Sequence, residues 1–237
     1  KLAENKEHLI VLSKSDLADV EMTKKWVEWF HTHGYTSIAI DAKKNNDIKN
    51  VFSQLNRRRD AIKEARGDRI PNFDLKVMVV GMPNVGKSTL LNAIKGRKSA
   101  KVGNIPGITK NQQWIRVQNN LLFLDTPGIL MPNRQNLEKM TLLQILHSME
   151  DMEYDEADLA LKAIKLLQEK YPGALKNRYT IDENSSELTV LEAIAKKRGA
   201  LLSKGELDYY RAGAIVIDEL RKGKLGRITL ENPDALD

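Results

Sequence analysis

Gly81-Met82-Pro83-Asn84-Val85-Gly86-Lys87-Ser88 fits the spacing G-x-x-x-x-G-K-[ST]. Glycines at those positions let backbone N–H groups converge on phosphate oxygens. Lys87 supplies charge to the terminal phosphates, the Ser88 hydroxyl is a Mg²⁺ ligand, and a helix start adds its dipole. Asn84, Val85, Gly86, Lys87, Ser88 and Thr89 are therefore the candidate phosphate-loop contacts. Downstream, Asp125-Thr126-Pro127-Gly128 follows an apolar run. An aspartate at a strand end can hold Mg²⁺ through water, and the Gly128 amide can reach a γ-phosphate. Thr109, in Pro106-Gly107-Ile108-Thr109, offers a hydroxyl that can close over the metal. Lys87, Thr109, Asp125 and Gly128 form the candidate catalytic set, with Ser88, Thr109 and Asp125 as Mg²⁺ ligands. Each is weak singly; their order behind a phosphate loop gives them weight.

Reading guanine requires a carboxylate facing its N1 and N2 donors. Ser13-Lys14-Ser15-Asp16 matches the Asn-Lys-x-Asp guanine motif except at its first position. Asp16 would take the bidentate contact and the Lys14 stem would cover the base. As an isolated tetrapeptide it reads equally as a helix start, with Asp16 or Asp19 as N-cap. A second element, Ile40-Asp41-Ala42-Lys43, is similar to the Ser-Ala-Lys loop whose amide binds guanine O6, which makes Asp41, Ala42 and Lys43 candidates as well.

The elements that must position these residues follow from hydropathy periods. His8 to Leu12 and Ser37 to Ile40 read as strands. Glu21 to His33 reads as a helix ended by Gly34, and Asp47 to Ala65 as a second helix. Leu75 to Val80 reads as a central parallel strand, with a helix over Lys87 to Lys95. Trp114 to Val117 and Leu121 to Leu124 flank Asn119-Asn120, a hairpin signal. The alternation predicts an α/β fold with a doubly wound, mostly parallel sheet. After Pro132 only helical periods remain: Leu137 to Met149, Ala157 to Glu169, Leu188 to Lys197 and Leu207 to Lys222. The expected organisation is a nucleotide domain over residues 1–132 and an all-α domain over 133–237.

Charge is uneven along the 237 residues, whose formal net charge is +6. Residues 76–134 hold nine basic groups and Asp125 as the single acid. Such a segment favours anionic partners, though a solvated surface explains it too. Lys196 to Arg227 holds nine basic and four acidic residues. Within it Lys196, Lys197, Arg198, Lys222, Lys224 and Arg227 are candidate RNA-docking residues. Arg57-Arg58-Arg59 is interleaved with acids and reads as a solvated helix face, with RNA contact open. The four histidines lack metal-ligand spacing beyond His31-x-His33, which reads as a dipole partner at a helix end. The absence of cysteine excludes disulfides, a cysteine nucleophile and thiolate metal sites. No apolar run approaches the roughly 20 residues a membrane helix needs, and no secretory signal opens the chain. The expectation is a soluble cytoplasmic protein, with an organellar home open and the oligomeric state unread.

The order of motifs carries a sharper resemblance. The guanine motifs at 13–16 and 41–43 precede the phosphate loop at 81–88. That order resembles the circularly permuted GTPases. The wording Gly-Met-Pro-Asn-Val-Gly-Lys-Ser-Thr-Leu-Leu-Asn is similar to their ribosome-biogenesis branch. Arg198-Gly199-Ala200-Leu201, Gly205-Glu206-Leu207-Asp208 and Gly223-Lys224-Leu225-Gly226-Arg227 resemble the C-terminal region of the ribosome biogenesis GTPase A (YlqF) family. The resemblance implies a GTP-hydrolysing factor that uses Mg²⁺, acts in late maturation of the large ribosomal subunit and contacts rRNA. It departs in two places. Ser13 stands where the family has Asn, and a serine is expected to be too short for the same contacts to guanine N7 and the phosphate loop. The family's Pro-Gly-His opening and Asp-Ala-Arg-x-Pro stretch have no match, so an N-terminal segment is expected to be missing.

Hydrolysis needs an ordered water. Many GTPases place a Gln just after Asp-x-x-Gly; Ile129 stands there. This resembles the hydrophobic-substituted GTPases, in which K⁺ bound by an Asn at the Asn84 position can supply positive charge. Turnover without a partner is expected to be slow. Two other functions stay open: a nucleotide-gated RNA-binding module with negligible hydrolysis, and a metabolic P-loop enzyme, for which no arginine-bearing lid is evident.

Overall fold

The computed structural model describes residues 6–66, 73–96, 101–103, 114–117, 120–125, 136–149 and 154–235. In chain order the elements are β1 (Leu9–Leu12), α1 (Val20–Thr32), β2 (Thr36–Ala39), α2 (Asn45–Arg66), β3 (Leu75–Val79), α3 (Lys87–Lys95) and β4 (Lys101–Gly103). They continue with β5 (Trp114–Val117), β6 (Leu121–Asp125), α4 (Leu137–Ile145), α5 (Glu156–Lys170), α6 (Ala174–Tyr179), α7 (Glu187–Arg198), α8 (Tyr209–Arg221) and a 3-10 turn at Pro233–Ala235. The chain divides into two compact units, Lys1–Ser15 with Phe30–Met131 and Asp16–Trp29 with Pro132–Asp237.

The first unit is mixed α/β. β1 and β2 pair in parallel, from Leu9 opposite Thr36 to Leu12 opposite Ala39. A second sheet has the order β3-β6-β5-β4, with β3 parallel to β6 and β5 antiparallel to both its neighbours. This corrects the expectation of one mostly parallel sheet with β3 at its centre. The reason is the short link from Val117 to Leu121, in which Asn120 turns through φ 57. So short a link joins antiparallel strands, whereas parallel ones need a crossover of a dozen or more residues. Among the described residues β3 lies at the edge of its sheet, with Lys76 and Met78 exposed. Ile48, Val51 and Leu55, at helical spacing on α2, bury with Leu90, Leu91 and Ile94 of α3 and with Ile115, Leu121 and Phe123 of the sheet. Phe52 meets Phe123 edge-to-face, 6.0 Å between centroids. Arg58 donates to Glu7, to the His8 carbonyl and to Thr36 Oγ1, tying α2 to the starts of β1 and β2. That side chain is structural, not part of a solvated face.

The second unit is helical among its described residues, apart from an isolated antiparallel bridge between Leu201 and Leu207. Asn136, Asp155, Ser186 and Asp208 cap the starts of α4, α5, α7 and α8, their side chains accepting from first-turn amides. Leu159, Ile164 and Leu167 of α5 pack with Leu175, Leu191, Ile194, Val216 and Ile217 in one core. α8 meets the start of α5 at backbone distance: a Cβ on Gly213 would lie 2.4 Å from the Glu156 carbonyl oxygen. Arg221 donates to the Gln144 and Ile145 carbonyls, closing the end of α4. The segment Asp16–Trp29 belongs to this unit through specific bonds. The Ile228 amide donates to the Leu17 carbonyl at 3.0 Å, and the Asp19 amide to Thr229 Oγ1 at 3.1 Å. Trp26 Nε1 donates to the Glu231 carbonyl, and Lys25 pairs with Asp234. Among the described residues, no helix is long and apolar enough to cross a membrane.

Candidate nucleotide site

β3 ends at Val79 and α3 begins at Lys87, so the Gly81–Ser88 motif has a strand before it and a helix after it. The turn depends on left-handed backbone at Asn84 (φ 57) and Gly86 (φ 100), and Gly86 is the N-cap of α3. Gly81 is close-packed: a Cβ there would lie 3.2 Å from Val85 Cγ2. Leu90, Leu91 and Ile94 anchor α3 in the core, which fixes the helix start with its unpaired amides at the loop. Ser88 and Thr89 are exposed in that first turn. Lys87 Nζ reaches back across the loop and donates to the Met82 carbonyl at 2.5 Å.

The end of β1 lies against this loop. Ser13 Oγ donates to the Val85 carbonyl, and Lys14 Nζ donates to the Asn84 carbonyl at 2.6 Å. Residues some seventy positions apart in sequence thus meet. Ser13 lacks the side-chain amide of an asparagine, and its hydroxyl makes a bond to the loop in its own way. Gly86 is the physical reason: with no side chain, it lets Ser13 approach until a built Cβ would stand 3.4 Å from its hydroxyl.

The second guanine-type element is tied to the first, the Ser15 amide donating to the Ile40 carbonyl at 3.0 Å. Asp41 is buried, and its carboxylate accepts from the Lys43 amide at 3.0 Å, while its own amide donates to Asp47 Oδ2. Asp41 therefore shapes the turn that presents Ala42 and Lys43. Asp16 is half-buried and falls in the second compact unit. The cap of α1 is Asp19, whose Oδ1 accepts from the Met22 amide at 2.8 Å, so Asp16 does not serve as that cap. Parallel register sets Asp125, last in β6, opposite Val79, last in β3. Ser88, exposed in the first turn of α3, carries an oxygen donor of the type that fits Mg²⁺. Thr109, Gly128 and Ile129 lie outside the described residues.

The RNA-docking candidates divide. Lys196 and Lys197 are exposed at the end of α7, and Lys224 and Arg227 are exposed beyond α8. Lys222 pairs with Asp218 one turn back. Arg198 is committed elsewhere: its guanidinium bonds the carboxylate of buried Glu219 at 2.5 Å and lies over the Tyr179 ring. Glu219 also takes a bidentate pair of bonds from Arg178, both at 2.8 Å. Those Arg178 bonds, opposed by burial and helped by Arg198, hold the Glu219 carboxyl down at about 2. Burial, then the Glu219 charge, pushes the Tyr179 hydroxyl up. Tyr209 and Tyr210, exposed at the start of α8 with the Tyr209 hydroxyl donating to Glu192, were not singled out from sequence. Their one signal was a Tyr pair directly after the capping aspartate.

Comparison with known proteins places this geometry. A family model described as a 50S ribosome-binding GTPase matches residues 76–198. A protein of Priestia megaterium named ribosome biogenesis GTPase A is 36% identical over 234 residues, covering 97% of this chain and 81% of that protein. Among solved structures, GDP-bound TM YlqF superposes with a TM-score of 0.72 at 28% identity, covering 98% of this chain and 86% of that one. GNP-bound YlqF from T. maritima gives 0.69 at 30% identity, covering 97% and 83%.

Proposed function

We propose, because this chain belongs to the ribosome biogenesis GTPase A family, that it binds GTP and GDP at the Gly81–Ser88 loop and acts as an assembly factor in late maturation of the large ribosomal subunit. It is a GTPase. The observation that best supports the reading is the contact of Ser13 and Lys14 with Val85 and Asn84, since it brings a guanine-type motif onto a phosphate loop that follows it in the chain. That is the arrangement a circularly permuted GTPase requires.

Lys87 meets the terminal phosphates with its charge, and the amides at the start of α3 receive the phosphate oxygens. Asp16 reads guanine N1 and N2, and the Ala42 amide, in the turn that Asp41 shapes by taking the Lys43 amide, faces its O6. Ser88, Thr109 and Asp125 would hold Mg²⁺, which would supply positive charge against the phosphates. Ile129 cannot orient a water, so turnover is slow until the ribosomal partner completes the site. Asn84 is the residue that would hold K⁺. The helical unit docks on rRNA through Lys196, Lys197, Lys224 and Arg227, and the protein acts in the cytoplasm.

Titration with fluorescent GDP tests the nucleotide site. Unlabelled GTP and GDP compete and ATP does not, and Lys87→Ala weakens binding by roughly tenfold or more, the worth of a charge-assisted contact. Equal competition by ATP would overturn the base assignment. Unchanged affinity in Lys87→Ala would overturn the site.

A further inference from the structure

Asp16 stands between two backbone anchors, on the residues to either side of it. The Ser15 amide donates to the Ile40 carbonyl at 3.0 Å, and the Leu17 carbonyl accepts from the Ile228 amide, also at 3.0 Å. The second anchor belongs to the C-terminal tail, which lies in the same compact unit as Asp16–Trp29. That tail is itself firmly held. Leu225 and Leu230 are buried in the helical core, and Ile228 packs against it. The hydroxyl of Tyr171, the C-cap of α5, grips the Thr229 backbone in both senses, accepting from its amide at 2.9 Å and donating to its carbonyl at 3.1 Å. Lys170 Nζ donates to the next carbonyl, that of Leu230. Thr229 passes this hold on: its Oγ1 accepts from the amide of Asp19, the cap of α1, at 3.1 Å. Gly223 makes room for the approach. It sits at φ 69, and a Cβ there would stand 2.9 Å from Leu17 Cδ2. The Gly223–Arg227 segment, which carries a family resemblance in the sequence, thus has a physical task here: it turns the chain so that Ile228 and Thr229 meet Leu17 and Asp19.

We infer that the tail positions the base-reading carboxylate: Ile228 and Thr229 fix the Leu17–Asp19 backbone and thereby hold Asp16 where guanine discrimination requires it. The inference rests on the nucleotide-site reading above. A single anchor at Ser15 lets the Ser15–Leu17 turn pivot, and the second, at Leu17, removes that freedom. A bidentate contact to N1 and N2 tolerates little displacement, because hydrogen bonds weaken steeply outside a narrow range of distance and angle. The phosphate loop has its own support in Leu90, Leu91 and Ile94, which anchor α3. Loss of the tail's grip therefore costs base selectivity more than it costs phosphate binding.

The experiment measures GDP and inosine diphosphate, which lacks the guanine 2-amino group, by competition against labelled GDP on the full chain. The ratio of the two affinities reads the N2 contact of Asp16, since the phosphates are common to both. The wild-type chain prefers GDP by about tenfold or more, the worth of a hydrogen bond to a charged group. Thr229→Ala narrows that preference by about threefold or more, GDP losing more affinity than inosine diphosphate. Thr229→Ser, which keeps the hydroxyl, restores it. Tyr171→Phe, which releases the Thr229 backbone and keeps the ring, narrows it as well. Asp16→Asn is the control for the site and also narrows it. If Asp16→Asn narrows the ratio while Thr229→Ala and Tyr171→Phe leave it at the wild-type value, whether by changing neither affinity or by weakening both ligands equally, the positioning role alone is overturned. A ratio that Asp16→Asn leaves unchanged would overturn the base-site reading, and the positioning role with it.

Discussion

Glu219→Gln removes the negative charge from the centre of the helical unit while keeping side-chain size. Glu219 is 5% exposed and faces two guanidiniums, Arg178 in a bidentate fork and Arg198 at 2.5 Å. Its carboxyl is held at about 2, against an ordinary 4.5. That gap corresponds to about 3 kcal/mol of stability at neutral pH. The folded carboxyl is the more acidic, so the stabilisation is complete above pH 4.5 and is lost as pH falls toward 2. Each pH step within that window removes about 1.4 kcal/mol. The variant leaves two cations against a neutral amide, a loss in the range of about 3–5 kcal/mol for a broken buried pair. Urea unfolding followed by helix circular dichroism is to be run on both proteins at pH 7, 5 and 3.5. The expected difference is about 3 kcal/mol at pH 7 and 5, shrinking by about 1.4 kcal/mol at pH 3.5. A variant within 0.5 kcal/mol of the parent (roughly the scatter of neutral surface changes), or a difference constant from pH 5 to 3.5, would refute the reasoning.

Three further outcomes are expected. Gly213→Ala places a Cβ 2.4 Å from the Glu156 carbonyl oxygen and 2.6 Å from its carbon, backbone atoms that no rotamer relieves; overpacking of about 1–3 kcal/mol exceeds the helix-propensity gain of about 1 kcal/mol, and the urea midpoint falls. Asp16→Asn weakens guanine nucleotides and admits xanthine nucleotides, measured by competition against labelled GDP; unchanged guanine preference would remove Asp16 from the base site. Lys196→Glu with Lys197→Glu weakens binding to large ribosomal subunits and lowers the salt slope by roughly 0.7–0.9 per lost phosphate contact, with GDP affinity unchanged. Arg198 is left out of that set because reversing it would unseat Glu219.

The phosphate loop was legible because its chemistry demands fixed spacing in a few consecutive residues, and α3 runs from Lys87 to Lys95 as its period predicts. The hairpin of β5 and β6 was legible from its polar turn, but the antiparallel character it imposes on the sheet was underweighted. α6 was missed because its six residues, between Gly173 and Thr180, are too few to display a helical period. β4 has only three residues. The Ser13–Val85 bond depends on chain closure over 72 positions and on the missing side chain of Gly86, which no local pattern encodes. Arg198 read as a surface cation because sequence does not reveal that its head lies on Glu219. Likewise the assignment of Asp16–Trp29 to the helical unit rests on bonds from Leu17, Asp19 and Trp26 to the tail.

Guanine-nucleotide turnover coupled to the large ribosomal subunit is tested most directly by the single-turnover rate of GTP hydrolysis, with and without purified large subunits, in Mg²⁺ and either K⁺ or Na⁺. The expected result is slow hydrolysis by the chain alone, clear acceleration by large subunits but not small ones, loss of both activities in Lys87→Ala, and a faster rate in K⁺ than in Na⁺. A rate indifferent to large subunits, or ATP hydrolysed as readily as GTP, would contradict the account.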